Sequence, residues 1–444
     1  MLRSPKTDQS EQTMLRSPKR DFQFTRSISD LNWRFLLVLV CSLSIIVFLS
    51  FSFPPTAYFS APALGSLKSL FNSTPSSNSS SPESKGKGNL WKETLDRSRI
   101  AVCLVGGARR FELTGPSIIE RVVKEFPSSD VFVNTPLDTN SYKMALLKSA
   151  PRIAAVRIFK QEPVPETEVQ SRVLTAANSP NGIQGLLQYF SLVEQCLTLI
   201  GKHEKRNNFT YDWIVRTRVD GYWTSPLSPK SFIPGHYVVP PGSSYGGLND
   251  RLGVGDRNTS ISALSRLSLI PTLDTHGFRQ LNSEASFKAQ LTTAGVPVQT
   301  PEQPFCVVSD RRYDYPPRGS GVPVVSLTSR GPMSGAKCRP CNPVCVGECV
   351  GGVIQSLNKG WSWTEWGNGR LELCDAHGEW EGGWERIFDR VAGKRFAELR
   401  KGVVEMDVDR CVREFEELMM KVSVNGSWEA PPVGEICRLG LVKD

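Results

Sequence analysis

The chain has 444 residues, enough for two domains or for one large α/β domain with an appendage. Its composition is that of a globular protein, 39% hydrophobic and 22% charged, and the formal net charge of +9 is spread along the chain rather than gathered in a basic block. That distribution argues against a nucleic-acid partner.

Residues 1–34 read as a disordered cytosolic tail, in which Met1-Leu2-Arg3-Ser4-Pro5-Lys6 recurs as Met14-Leu15-Arg16-Ser17-Pro18-Lys19. Phe35 to Phe53 then runs for 19 residues without a charge, enough to span a bilayer core of ~30 Å at ~1.5 Å per residue. A cleaved signal peptide ending near Ala61-Pro62-Ala63 is the competing reading, but the 34 residues ahead of the apolar run far exceed a usual leading segment. An uncleaved signal anchor over 35–53 is the better fit. Arg3, Lys6, Arg16, Lys19, Arg20, Arg26 and Arg34 precede it and only Lys68 follows closely, which puts the N-terminus in the cytosol. The bulk of the chain is thus expected to be lumenal, in a single-pass type II arrangement. Sequons at Asn72, Asn78, Asn208, Asn258 and Asn425 all follow the span, as do ten of the eleven cysteines, so glycosylation and disulfides are expected. Residues 54–97, rich in Ser, Pro and Asn in their first part, read as a lumenal stem.

Regular structure begins at Ile100-Ala101-Val102-Cys103-Leu104-Val105, a run that fits a strand buried on both faces. Gly106-Gly107-Ala108-Arg109-Arg110 follows. The glycines would let backbone approach a phosphate or ribose and the arginines would supply charge, although a tight turn with solvated arginines explains the same residues and no G-x-G-x-x-G is present. A helix with Pro116 in its first turn and a stripe of Ile118, Ile119, Val122, Val123 and Phe126 is predicted next, then strands at Asp130–Thr135 and Ile153–Phe159 separated by a helical stretch near Tyr142–Ser149. A long amphipathic helix from about Ile183 to Ile200 leads to the strand Tyr211–Trp223. Alternating strands and helices imply a mostly parallel sheet flanked by helices, with ligands beyond the carboxyl ends of its strands.

In that last strand Ile214, Arg216, Arg218 and Asp220 should share a face. Two cations and a carboxylate in an apolar strand must either pair internally or meet a charged ligand. A nucleotide diphosphate would suit them, gripped by the arginines, with Asp220 holding a bridging divalent cation. Farther on, Gly246–Arg257 has the glycine and polar content of a functional loop, or of a hairpin whose Asn249-Asp250 pair serves only a turn. Glu284, at the start of a helix opened by Ser283, is explained by the helix dipole or as a catalytic base.

Taken together, the Gly-rich turn, Asp130-Val131-Phe132-Val133-Asn134-Thr135, the strand Tyr211–Asp220, Asn249-Asp250-Arg251 with Gly255, and Asn282-Ser283-Glu284 resemble a plant family of type II membrane proteins with a domain of unknown function, similar to GT-A glycosyltransferases. The likeness covers residues 98–315. It implies a GT-A-like fold and sugar transfer in the Golgi from a nucleotide-sugar donor to a glycan or glycoprotein acceptor. Asp220 would stand at the metal-binding acidic motif, with Gly106, Gly107, Arg109, Arg110, Arg216 and Arg218 at the donor, and with the catalytic base among Asp250, Asp256 and Glu284. The usual motif is Asp-x-Asp, whereas Arg218 stands two before Asp220. Either the single carboxylate joins a divalent cation, Mn²⁺, Mg²⁺ or Ca²⁺, or Arg218 replaces the cation. The alternative function is a non-catalytic lumenal protein that binds sugar, nucleotide-sugar or calcium.

Residues 316–444 read as a Cys/Trp-rich C-terminal extension. Cys338, Cys341, Cys345 and Cys349 have spacing that resembles zinc ligation, but disulfides among themselves or with Cys306, Cys374, Cys411 and Cys437 suit the compartment better. Trp361, Trp363, Trp366, Trp380 and Trp384 form either a sugar platform or the filling of a small core, the latter preferred. A helix around Val403–Val422 is expected to pack back onto the main domain.

Overall fold

The run Ile100–Val105 becomes strand β1, and all six of its residues are buried, because a strand covered on both faces has no place for polar alternation. The computed structural model of the chain describes residues 82–177, 179, 181–313, 324–357, 370–424 and 426–442. Phe35–Phe53, the stem up to residue 81, Asn72, Asn78, Asn425, Trp361, Trp363 and Trp366 lie outside the described residues. Among the described residues no helix is long and apolar enough to cross a membrane.

β1 lies between two parallel neighbours, β2 (Ser129–Pro136) and β4 (Trp213–Arg218), and β2 pairs in parallel with β3 (Ile153–Phe159). The order 3-2-1-4 is that of one half of a doubly wound sheet. Beyond β4 the sheet continues with antiparallel β7 (Leu252–Asp256), then β6 (Tyr237–Val238) and β8 (Val298–Gln299), and its far edge is β13 (Ser427–Glu429) on β3. A second sheet runs in the order β12 (Leu373–Cys374), β10 (Val324–Ser326), β11 (Lys337–Arg339), β9 (Phe305–Val308), β5 (Gly221–Trp223). The molecule is therefore mixed α/β.

Each face of β1 has its own cover. Ala101, Cys103 and Val105, with Phe132 and Ile214, meet Leu192, Val193, Cys196, Leu199 and Ile200 of the Gly182–Asn207 helix. Val102, Leu104 and Val215 face Phe111, Ile118, Ile119, Val122 and Phe126. The stripe is as expected, but the helix is not. It spans Phe111–Ile118 with Pro116 inside, and Ile119–Val123 continues it as a wider π turn. Proline removes an interior N–H and crowds the preceding turn, so the helix cannot run on regularly past it.

Several other boundaries differ from the sequence reading. The expected loop at 246–257 contains β7, whose Gly253 and Gly255 are needed because the Tyr237 ring occupies the space a Cβ would take. The helix expected at Val403–Val422 is two helices, Lys394–Val404 and Val408–Ser423, since Asp407 caps the second by accepting from the Arg410 N–H. The C-terminal segment packs onto the main domain, with β13 in the main sheet and Cys411, Phe415, Leu418 and Val422 in the main core.

Among the described residues five disulfides are present: Cys103–Cys196, Cys306–Cys338, Cys341–Cys374, Cys345–Cys349 and Cys411–Cys437. All eight cysteines of the candidate set are paired, so none of the four closely spaced ones is left as a zinc ligand. The Cys103–Cys196 bond, joining β1 to the long helix, was not expected from the sequence.

Closing a loop of 93 residues restricts the unfolded chain by about 4.6 kcal/mol in the chain-entropy account. The double substitution Cys103→Ala, Cys196→Ala should therefore lower the denaturation free energy by up to that amount without changing far-UV circular dichroism. A midpoint unchanged in guanidinium titration would contradict it.

Candidate functional site

At the end of β1 the chain turns through Gly106, at φ +121°, and Gly107, where an added Cβ would lie 2.8 Å from the Asp138 carboxylate. Glycine is required at the first position by conformation and at the second by close approach. Val105 is in register with Arg218, the last residue of β4, and the Val219 N–H donates to the Val105 carbonyl at 3.2 Å. Connections leave β1 toward β2 on one side and return to β4 on the other, so the crevice above these two strand ends is the switch point at which open α/β sheets bind ligands.

Asp220 stands at that crevice, 3% exposed. Arg218 donates to both of its oxygens, Nε to Oδ1 and Nη2 to Oδ2, each at 2.7 Å. Arg109 Nη1 approaches Oδ2 at 3.8 Å from a side chain that is 65% exposed. Burial opposes the ionisation of Asp220, yet the Arg218 guanidinium, with Lys337 and Arg109 behind it, holds the carboxyl well below its ordinary value. Lys337 reaches the site from the second sheet: it pairs with Val307, and Val307 pairs with Gly221, directly after Asp220. Its ammonium faces Arg251, Arg218, Asp220 and Arg109, and burial together with those guanidiniums pushes its pKa well below the lysine range. Among the described residues it makes no hydrogen bond or ion pair.

A second group lies alongside. Asp250 accepts from the Ser283 hydroxyl at 2.8 Å and pairs with Arg266 Nη1 at 3.3 Å, and the Arg266 side chain is 1% exposed. Burial raises the Asp250 pKa, but Arg266 and Arg216 outweigh it and bring it down to about 2. Glu284, the next residue after Ser283, goes the other way: burial, then the Asp250 carboxylate, push it up to about 7. The helix dipole would lower it, so the dipole explanation is insufficient here. Arg251 links the two groups, facing Glu284 as well as Lys337. The adjoining loop holds Ser243 and Tyr245 at positive φ, backbone strain of the kind found at ligand clamps.

Three sequence assignments change. Arg216 is buried and donates to the Asp250 carbonyl and the Tyr189 hydroxyl, so it fixes the Asp250 loop rather than meeting a ligand. Arg110 binds Asp310 through Nε and Nη2 and lies 4.3 Å from the Trp380 ring, which makes it a tie to the C-terminal region. Asp256 is the N-cap of the Arg257–Leu264 helix, accepting from Thr259 N–H at 2.9 Å. Trp380 and Trp384 pack edge to face beside Arg110 in the core of the second sheet. Asn208 and Asn258 are exposed. Asp138, Tyr189, Arg266 and Lys337 were not singled out from the sequence.

A divalent cation does not suit this donor set. Among the described residues no three His, Cys, Asp or Glu side chains are grouped to hold one. Both Asp220 oxygens are already taken by a guanidinium, and further cations surround them. At the opposite ends of the strands a concavity is lined by Arg99, Asp130, Arg152, His203 and Phe209. Its charges answer one another, Arg152 pairing with Asp130 at 2.8 Å and Arg99 stacking on Phe209 at 4.1 Å.

The family described as a domain of unknown function (DUF7796) matches residues 95–443. No curated protein sequence matches the chain. Among solved structures, mouse xyloside xylosyltransferase 1 in its apo form is similar with a TM-score of 0.30 and 11% identity, over 46% of this chain and 85% of that one.

The Asp250–Arg266 pair is a buried ion pair, and removing one partner strands the other. Its contribution is complete above the unfolded carboxyl pKa of about 4 and is lost as pH falls toward the folded value of about 2. At pH 7 Asp250→Asn should cost about 3–5 kcal/mol by equilibrium denaturation, and adding Arg266→Met should recover much of it. A loss below about 1 kcal/mol for the single variant would count against the pair as a buried determinant.

Proposed function

The chain belongs to the family of the domain of unknown function DUF7796, and from its crevice we propose that it is a glycosyltransferase, moving a sugar from a nucleotide-sugar donor to a hydroxyl of a glycan or glycoprotein acceptor. One observation carries the reading: at the carboxyl ends of β1 and β4, Arg218, Arg109 and Lys337 gather around Asp220, and Arg251 links them to Glu284, whose carboxyl is pushed up to about 7. Cations at that place suit a diphosphate, and the glycines before them admit backbone to it.

In the displacement, the bond between the anomeric carbon and the diphosphate oxygen breaks and its electron pair leaves with the diphosphate. The acceptor oxygen bonds to the same carbon and its proton passes to Glu284. A carboxylate with a pKa of about 7 is suited to that transfer. Asp250, by contrast, stays ionised under Arg266 and Ser283 and holds the start of the Glu284 helix in place. Five disulfides fit an oxidising compartment, and with the sequons and the apolar run at 35–53 they support work in the Golgi lumen from a type II anchor.

Release of nucleoside diphosphate by the purified full chain, given a panel of nucleotide sugars and glycan acceptors, tests this. The rate should rise with pH and level off above about 7, and Glu284→Gln should lower kcat about 10²–10³-fold and abolish the rise. A variant that keeps both the wild-type rate and the rise would remove Glu284 from the reaction, and no turnover of any donor by folded wild-type protein would sink the transferase reading.

A further inference from the structure

We propose that the crevice holds its diphosphate without a divalent cation, the charge being met by Arg218, Arg109 and Lys337. The inference rests on the transferase reading only for the identity of the molecule carrying the diphosphate.

Charge balance is the first ground. Around the Asp220 carboxylate, Arg218 binds both oxygens, Arg109 stands 3.8 Å away and the Lys337 ammonium lies beyond them, so positive charge exceeds negative in partly desolvated surroundings. Such a surplus costs free energy unless an anion answers it. A metal ion would add two charges to it, whereas a diphosphate removes two or three.

The second ground is donor capacity. A guanidinium has five N–H donors. Asp220 accepts from Nε and once from Nη2 of Arg218, which leaves three N–H groups, and a side chain one-quarter exposed, to meet phosphate oxygens without releasing the carboxylate. Asp220 is then a positioning residue that orients the guanidinium. Arg109, 65% exposed and only 3.8 Å from Asp220, can swing onto the same anion.

The third ground is Lys337. It arrives from the second sheet, two strands across from Gly221, and is anchored by its neighbour Cys338, disulfide-bonded to Cys306 of β9. A half-buried ammonium that makes no hydrogen bond or ion pair among the described residues has the position of a phosphate ligand. The C-terminal region thereby supplies part of the site.

Calorimetry of the full chain with inorganic pyrophosphate, in EDTA and again in Mn²⁺, tests the proposal. Affinity should agree within about threefold between the two conditions. Loss of one charge-assisted contact corresponds to about tenfold or more, so Lys337→Ala should weaken binding by that factor and Lys337→Arg should restore it to within about threefold. Asp220→Asn loosens the guanidinium that Asp220 orients and should weaken binding to the same extent in EDTA and in Mn²⁺. Binding only with Mn²⁺, a loss in Asp220→Asn confined to Mn²⁺, an indifferent Lys337→Ala, or no binding by the folded wild type would each overturn it. Pyrophosphate binding in EDTA without turnover of any nucleotide sugar would defeat the transferase reading and leave this one standing, whereas turnover dependent on Mn²⁺ would do the reverse.

Discussion

The bidentate bond from Arg218 to Asp220 sits where the two sheets meet, and the rest of the arrangement depends on it. Arg218 ends β4 in the large sheet, Gly221 opens β5 in the small one, and the two residues between them make the passage. Backbone bonds fix both sides, from Val219 N–H to the Val105 carbonyl at 3.2 Å and from Val308 N–H to the Asp220 carbonyl at 2.9 Å. A buried carboxylate here would be costly if alone, and a buried guanidinium equally so. Paired, they neutralise each other only once, while Arg109, Arg251 and Lys337 converge on the same spot. Folding therefore builds a positive site because the second sheet must pack against the first at this junction.

That junction also explains why the cysteines lie where they do. Short strands of two to four residues make up the small sheet, too few to bury a large core unaided. Cys306–Cys338 ties β9 to β11, and Cys341–Cys374 ties the segment after β11 to β12. The covalent links tie the strand that carries Lys337 to its neighbours, so the site as well as the fold depends on them.

What could be read from sequence follows the same division between local and distant causes. β1, β3 and the helix beginning near Gly182 were legible because their signals are local: an unbroken apolar run, β-branched residues and a 3.6-residue period. The Arg218–Asp220 pair was legible as an alternative, since spacing alone puts the two within reach. Lys337 gave no such sign, being one lysine beside a cysteine and 117 positions from Asp220 by number, joined to it through two strand pairings. Arg266 and Tyr189 were equally silent, because their roles exist only through Asp250, which they approach from different helices and loops. Arg216 misled for a related reason: strand alternation gives the face correctly, but what waits on that face, the Asp250 carbonyl and the Tyr189 hydroxyl, is tertiary.

Asp250 and Glu284 show how nearby carboxyl groups are given different work. Both are shielded from water, which alone would raise both pKa values. Arg266, aromatic faces of Phe190 and Phe287 against its guanidinium at 4.6 Å, has Asp250 as its ion-pair partner, and the Ser283 hydroxyl points to the same oxygen. Glu284 receives less of that cationic help and meets instead the charge that Arg266 has stabilised on Asp250, so the stabilisation of one carboxylate is the cause of the other's reluctance to ionise. Environments that push two carboxyl pKa values apart define an acid-base assignment more sharply than either residue does alone. In this chain the separation is set by Arg266, which binds Asp250 and not Asp220, and Glu284 is tuned from behind.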